Sequence, residues 1–278
     1  MGNREDSHTT DHSMPSKKES RATSNLPFTE KDLDSNLQQV MTFIDQLEKI
    51  GRKNAEETGR DFTEHIVLAH RLALAGVISM LRRHEKAPVR TQLEKVEPLT
   101  SRLVLVISFV QGSYHCYEAI AKGLYVQAAA LLRQEMETVA ALVDARKSVG
   151  NDRRARPKNK GQQVGKGNIA WGMNRLHGGL SSATHLTDPT LLDGLYRTDA
   201  RPDENLLGRP VRLMPVYRKV DAINLFAFQA GLTIQLGREL DLLFEELLGN
   251  GANALENYCL STAFEYLKKD GFLIETSL

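Results

Sequence analysis

The stretch that decides the fold is Ser101–Lys147, SRLVLVISFVQGSYHCYEAIAKGLYVQAAALLRQEMETVAALVDARK. Leu103, Val104, Leu105, Val106, Ile107, Phe109 and Val110 make it apolar on nearly all sides, which by periodicity alone fits a buried strand as well as a helix. The continuation through Tyr114, Tyr117, Ala119, Ile120 and Leu124 keeps helical spacing and selects a long buried helix. Gly123 breaks it. In the next helix Leu132, Met136, Val139 and Val143 form one face, with Arg133, Glu137, Ala140 and Asp144 on a second face about 100° round.

Working outward, the same spacing predicts helices on both sides of this pair. Leu33, Leu37, Val40, Phe43, Ile44 and Leu47 recur at 3–4 spacing after Thr29, and this helix is expected to end near Gly51. A second helix is expected over Phe62–His84, with Arg82, Arg83 and His84 suiting its C-terminal dipole and Pro88 stopping it. Beyond Lys147 comes a basic linker, about residues 148–168, with four glycines and Pro157. A short helix is expected around Ile169–Leu176, then loops over 187–216. An amphipathic helix is expected over Tyr217–Leu248, ended by Gly249-Asn250-Gly251, and a last one over Ala252–Lys269. No alternating strand pattern emerges. The expected fold is all-α: a single multi-helix bundle over residues 27–278, preceded by a disordered N-terminal arm, residues 1–26, too poor in large apolar side chains to offset ordering.

The formal net charge is +1, from 36 Lys+Arg against 35 Asp+Glu, so the chain as a whole is no general polyanion binder. Two cysteines far apart in sequence, Cys116 and Cys259, fit a reducing compartment. The polar opening MGNREDSHTTDHS lacks the apolar core of a secretory signal. The run Leu103–Val110 is too short to span a bilayer. A cytoplasmic protein with no membrane partner is expected.

LYVQAAALLRQEMETVAAL, followed beyond the linker by a W-x-x-x-x-L-x-x-x-LSS-x-x-H pattern, resembles a group of uncharacterised bacterial all-helical proteins. These are similar to the higher eukaryote and prokaryote nucleotide-binding (HEPN) superfamily. Arg133 and Glu137 match an L-x-R-x-x-x-E pattern, and Leu180, Ser181 and His185 match LS-x-x-x-H, over a likeness of about residues 100–250. Nuclease members of that superfamily carry Arg, four to six residues, then His near the start of a late helix. Here Arg175 and His185 are separated by nine residues; Arg60 and His65 fit the spacing but lie outside the resembling region.

Several groups are candidates for chemistry. Arg133 and Glu137, at i and i+4, pair directly or present a planar guanidinium to an anion. His185 suits general acid–base work near neutral pH, alone or with Arg133 or Arg175; the plainer alternative is a core histidine bonded to Glu137 or Glu118. Glu135, inside the apolar arc between Leu131 and Val139, is expected to face a partner subunit or reach outward. His115 and Glu118 share a helical face, yet the further Glu and His residues of a di-iron bundle are missing, so no metal and no cofactor is expected. In the basic stretch Arg153, Arg154, Arg156, Lys158 and Lys160 would contact phosphates without reading sequence.

Two functions follow as expectations. The first is a nucleic-acid- or protein-binding module, with an RNA or protein partner and a homodimeric state. The second is a metal-independent endoribonuclease of HEPN-like toxin or phage-defence type, with His185, Arg133 and Glu137 as its site.

Overall fold

The computed structural model describes residues 30–85, 93–149 and 214–272, and over these the chain is a helical bundle with no strand. Six helices lie among the described residues: α1 Glu30–Asp61, α2 Glu64–Glu85, α3 Leu93–Ala121, α4 Tyr125–Val149, α5 Lys219–Leu248 and α6 Ala254–Lys269. The chain separates into two compact units between Ile44 and Asp45, inside α1. The described part of the first is the opening half of α1. The second holds the rest of α1 and the bundle. The proposed arm, residues 1–26, and the linker, residues 148–168 apart from its first two, lie outside the described residues.

The bundle is organised around α5, which packs against α2, α3, α4 and α6. The sequence predicts an amphipathic helix here, and the structure corrects that expectation: every residue from Gln229 to Gly237 is buried. Phe226, Leu232, Ile234, Leu236, Leu240 and Phe244 fill the core on all sides of α5. Gly237 permits a close approach of α6, because a Cβ there would lie 2.5 Å from Leu260 Cδ2.

The α3–α4 break falls where the sequence places it. Gly123 has φ +78°, its N–H donates to the Ile120 carbonyl, and the Leu124 N–H donates to the Ala119 carbonyl, a Schellman ending that uses the carbonyls α3 leaves open. The remaining carbonyls at this end are taken by α1. Asn54 Nδ2 donates to the Lys122 carbonyl at 3.0 Å and the Pro215 carbonyl at 3.3 Å, and Thr58 Oγ1 donates to the Ala121 carbonyl at 3.1 Å.

These bonds explain a second correction. The helix expected to end near Gly51 runs on to Asp61. A mid-helix glycine costs about 1 kcal/mol, and the tertiary bonds of Asn54 and Thr58 outweigh it. Asp61 then accepts from Tyr217 at 2.5 Å and Lys219 at 2.8 Å, and Phe62 stacks on Phe226 with centroids 4.6 Å apart.

At the other end of α2 the fold is held by Glu256. Asn253 and Glu256 form a capping box at the start of α6. The fully buried Glu256 carboxylate accepts from Arg83 Nη2 at 2.8 Å and Nε at 3.3 Å, from Ser79 Oγ at 3.0 Å and from the Asn253 N–H at 2.8 Å. Burial opposes its charge, but the bonds from Arg83, Asn253 and Ser79 prevail and hold it below the usual carboxylate range.

Arg83→Ala leaves that buried carboxylate without its counter-ion and is expected to cost about 3 kcal/mol or more in urea unfolding. Gly123→Ala, whose Cβ would meet the Val216 carbonyl oxygen at 2.8 Å in a left-handed conformation, is expected to cost about 2–3 kcal/mol by the same measurement.

Candidate functional site

Of the residues singled out in sequence, Arg133 and Glu137 come together as expected. Arg133 Nε donates to Glu137 Oε1 at 2.9 Å along α4. The pair is part-exposed, with side chains 28% and 40% accessible. Pairs of this kind contribute a few tenths of a kcal/mol. Ala129, Ala140 and Ala141 nearby are buried, in keeping with close helix approach, while Ala130 is exposed. His185, Arg175 and the phosphate-contact candidates Arg153, Arg154, Arg156, Lys158 and Lys160 lie outside the described residues.

Arg60 and His65 turn to different partners. Arg60 faces Glu56 at 3.9 Å on the α1 surface. His65 Nδ1 bonds Asp270 Oδ1 at 3.0 Å, and its ring stacks on Tyr266. Thr63 Oγ1 also reaches Asp270 and accepts from the Ile66 N–H, capping α2. Here His65 fastens the start of α2 to the end of α6. His115 sits at the surface beside Tyr114, and Glu118 accepts from Tyr114 and Lys122. Among the described residues no three His, Cys, Asp or Glu side chains gather as metal ligands would.

Glu135 is the instructive departure. Rather than facing outward or toward a partner subunit, it is 3% exposed in the core. One polar residue from each of four helices meets there. Gln229 Nε2 on α5 donates to the Ser113 carbonyl at 2.7 Å and Ser113 Oγ at 3.1 Å on α3, and lies 3.4 Å from Glu135 Oε1 on α4. His70 Nε2 on α2 bonds Ser113 Oγ at 3.2 Å, with its ring against Phe226. Glu135 Oε2 and Gln229 Oε1 have no hydrogen-bond partner among the described residues.

Burial raises the Glu135 carboxyl to about 8, against the opposing bond from Gln229. Burial, helped by Arg71, lowers His70 to about 4. Near neutral pH this layer is therefore largely uncharged, with Glu135 mostly protonated. Burial, with Glu135 adding, pushes the Cys116 thiol well above its ordinary value, so Cys116 is no nucleophile. Beside Glu135 a hollow of about 10 Å³ is lined by Ser108, Phe109, Gly112, Leu131, Gln134 and Thr138, the room of one water molecule. A shallow open depression on α2, about 600 Å³ and edged by Ala75, Ile78, Ser79, Arg82 and Arg83, contains no acid–base pair. Chemically the layer fixes helix positions. It offers no room for an organic substrate.

His70, Ser113 and Gln229 escaped the sequence reading. Each interrupts an apolar face at helical spacing (Ile66–His70–Ala73, Phe109–Ser113–Cys116, Phe226–Gln229–Leu232), and that repeated interruption was the signal available.

A different surface stands out on α1. Leu37, Val40, Met41 and Ile44 are 61, 53, 48 and 41% exposed, on the very face whose periodicity predicted an amphipathic helix. Among the described residues one helix, α2, has the length and apolar composition to cross a bilayer, but its Ile66, Ala69, Ala73, Val77 and Met80 belong to the bundle core. No protein-family model, curated protein or solved structure matches the chain.

The two titrating core groups set opposite pH slopes. Glu135, with a folded-state value raised from 4.5 to about 8, contributes stability present below 4.5 and lost as pH rises through 8. His70, lowered from 6.5 to about 4, contributes stability present above 6.5 and lost as pH falls through 4. Between 4.5 and 6.5 the slopes cancel. From pH 6.5 to 8 only the Glu135 loss remains, roughly 2 kcal/mol. Urea unfolding across pH 6.5–8.5 is expected to show that fall, and Glu135→Gln, which keeps the shape without the charge, is expected to abolish it.

Proposed function

We propose that the chain is a cytoplasmic helical binding module whose partner is a protein and whose contact surface is the apolar face of α1. The observation that carries this is the exposure of Leu37, Val40, Met41 and Ile44 along one side of one helix. Large apolar side chains exposed side by side on one helix are a mark of an interaction site. The flanking chemistry favours protein over nucleic acid: Ser35–Ile44, SNLQQVMTFI, contains no charged residue, and phosphate binding requires cations. An amphipathic helix meeting a complementary apolar surface is a standard recognition mode.

RNA contact through Arg153, Arg154, Arg156, Lys158 and Lys160 would be a separate, strongly salt-dependent property. Metal-independent RNA cleavage, the alternative that the HEPN resemblance implies, would need His185 beside Arg133 and Glu137.

A photoreactive residue at position 41 in living cells is expected to yield discrete protein adducts that disappear when Ile44→Glu is added. The purified protein is expected to leave RNA intact in EDTA. Adducts to RNA alone would contradict the proposal, as would EDTA-resistant cleavage that is lost in His185→Ala.

A further inference from the structure

We infer that the partner of α1 is a second copy of the same helix, an inference that rests on the reading of α1 as a binding surface. Leu33, Leu37, Val40, Ile44 and Leu47 follow one another at intervals of 4, 3, 4 and 3. That spacing keeps an apolar edge turned toward a partner helix running alongside. The same frame continues through Gly51, Asn54 and Thr58, which are buried and, at Asn54 and Thr58, bonded to the end of α3. The edge thus has two halves. From Gly51 onward it is built from small and polar residues and is occupied by the chain itself. Up to Leu47 it is built from large apolar residues, of which Leu37, Val40 and Ile44 are exposed.

Charge narrows the occupant. The positions flanking the centre of the edge are Asn36, Met41 and Phe43, and the acids Asp34 and Glu48 come only at its ends. A partner chosen by charge would need a charged flank to read, and a polyanion would need a basic one. A neutral centre neither repels nor discriminates against its own copy. Its apolar spacing is matched by definition in every other copy, giving a self-complementary contact of the commonest symmetric kind.

Two heptads span about 21 Å of helix. A contact this short lies at the weak end of specific interfaces, so monomer and dimer exchange with concentration. Because no ion pairs hold its centre, the association is insensitive to salt.

The test is sedimentation equilibrium of the full chain from about 1 to about 200 µM, the range in which small interfaces of this kind associate. It is run beside Leu37→Glu and Ile44→Glu, with peroxide oxidation of Met41 followed in parallel. Both substituted positions are exposed, so helix content and melting temperature serve as folding controls and are expected to be unchanged. The expected result is a rise from one chain mass to two for the wild type and one chain mass throughout for each variant, with Met41 oxidised several-fold more slowly in the concentrated wild type.

A wild type that stays at one chain mass overturns the inference, and Met41 then decides what else falls. Rapid oxidation leaves α1 open for a different protein, and the proposed function survives. Slow oxidation in the monomer means that the chain covers its own edge, and both readings fail. Association that persists in both variants, or that dissolves with added salt, places the contact elsewhere and also overturns it.

Discussion

The N–H donors of Gln229 have to be satisfied inside the protein, and the rest of the bundle is arranged around that requirement. Gln229 lies fully buried on a helix that four others surround. Its donors reach Ser113 on α3 and Glu135 on α4, and Ser113 in turn holds His70 on α2. Rotating any of these helices by one residue would leave a buried polar group unpaired, at about 1–3 kcal/mol for each group. Apolar packing alone tolerates such slips far better. The layer thus fixes the mutual register of α2, α3, α4 and α5, and it tolerates an acid in the core by keeping that acid protonated. Its cost appears where the proton leaves, which ties the pH dependence of stability to the same atoms that define the fold.

The attachment of α1 rests on different physics. Its last turns are held by a few side-chain bonds from Asn54 and Thr58 to carbonyls that α3 leaves open, and by the Asp61 contacts with Tyr217 and Lys219. Its opening turns keep large apolar side chains in solvent. Stability within one chain follows burial and hydrogen bonding locally, so α1 carries a gradient from a well-held end to a loosely supported one. Elements that bind partners are drawn from the loosely supported end of that range. An apolar helix face that stays exposed is available to recognise something else.

Much of this was legible in the sequence, and the exceptions have physical causes. The helices announced themselves by apolar spacing, the α3–α4 break by Gly123, and the end of α5 by Gly249, whose φ is +64°. The Arg133–Glu137 pair follows from its i, i+4 spacing. The central place of α5 was hidden because Gln229, Thr233, Gln235 and the glycines count as polar in a periodicity pattern although all are buried. Glu135 was conspicuous as a carboxylate in an apolar arc, but its partner lies 94 positions away, beyond any local rule. The extension of α1 past Gly51 depends on carbonyls of another helix, equally invisible to local propensity. Of the candidate site, the sequence placed Arg133 beside Glu137; His185 and the basic cluster lie outside the described residues.

The most direct measurement is amide hydrogen exchange of the full chain at two concentrations. Amides of α5 from Gln229 to Gly237 should exchange only through global unfolding at both. Amides of α1 from Leu37 to Leu47 should exchange rapidly in dilute solution and slow markedly when the protein is concentrated, while Leu37→Glu removes the slowing. Equal and strong protection of Leu37–Leu47 in the dilute monomer would contradict the picture of an open binding helix on a bundle closed around Gln229.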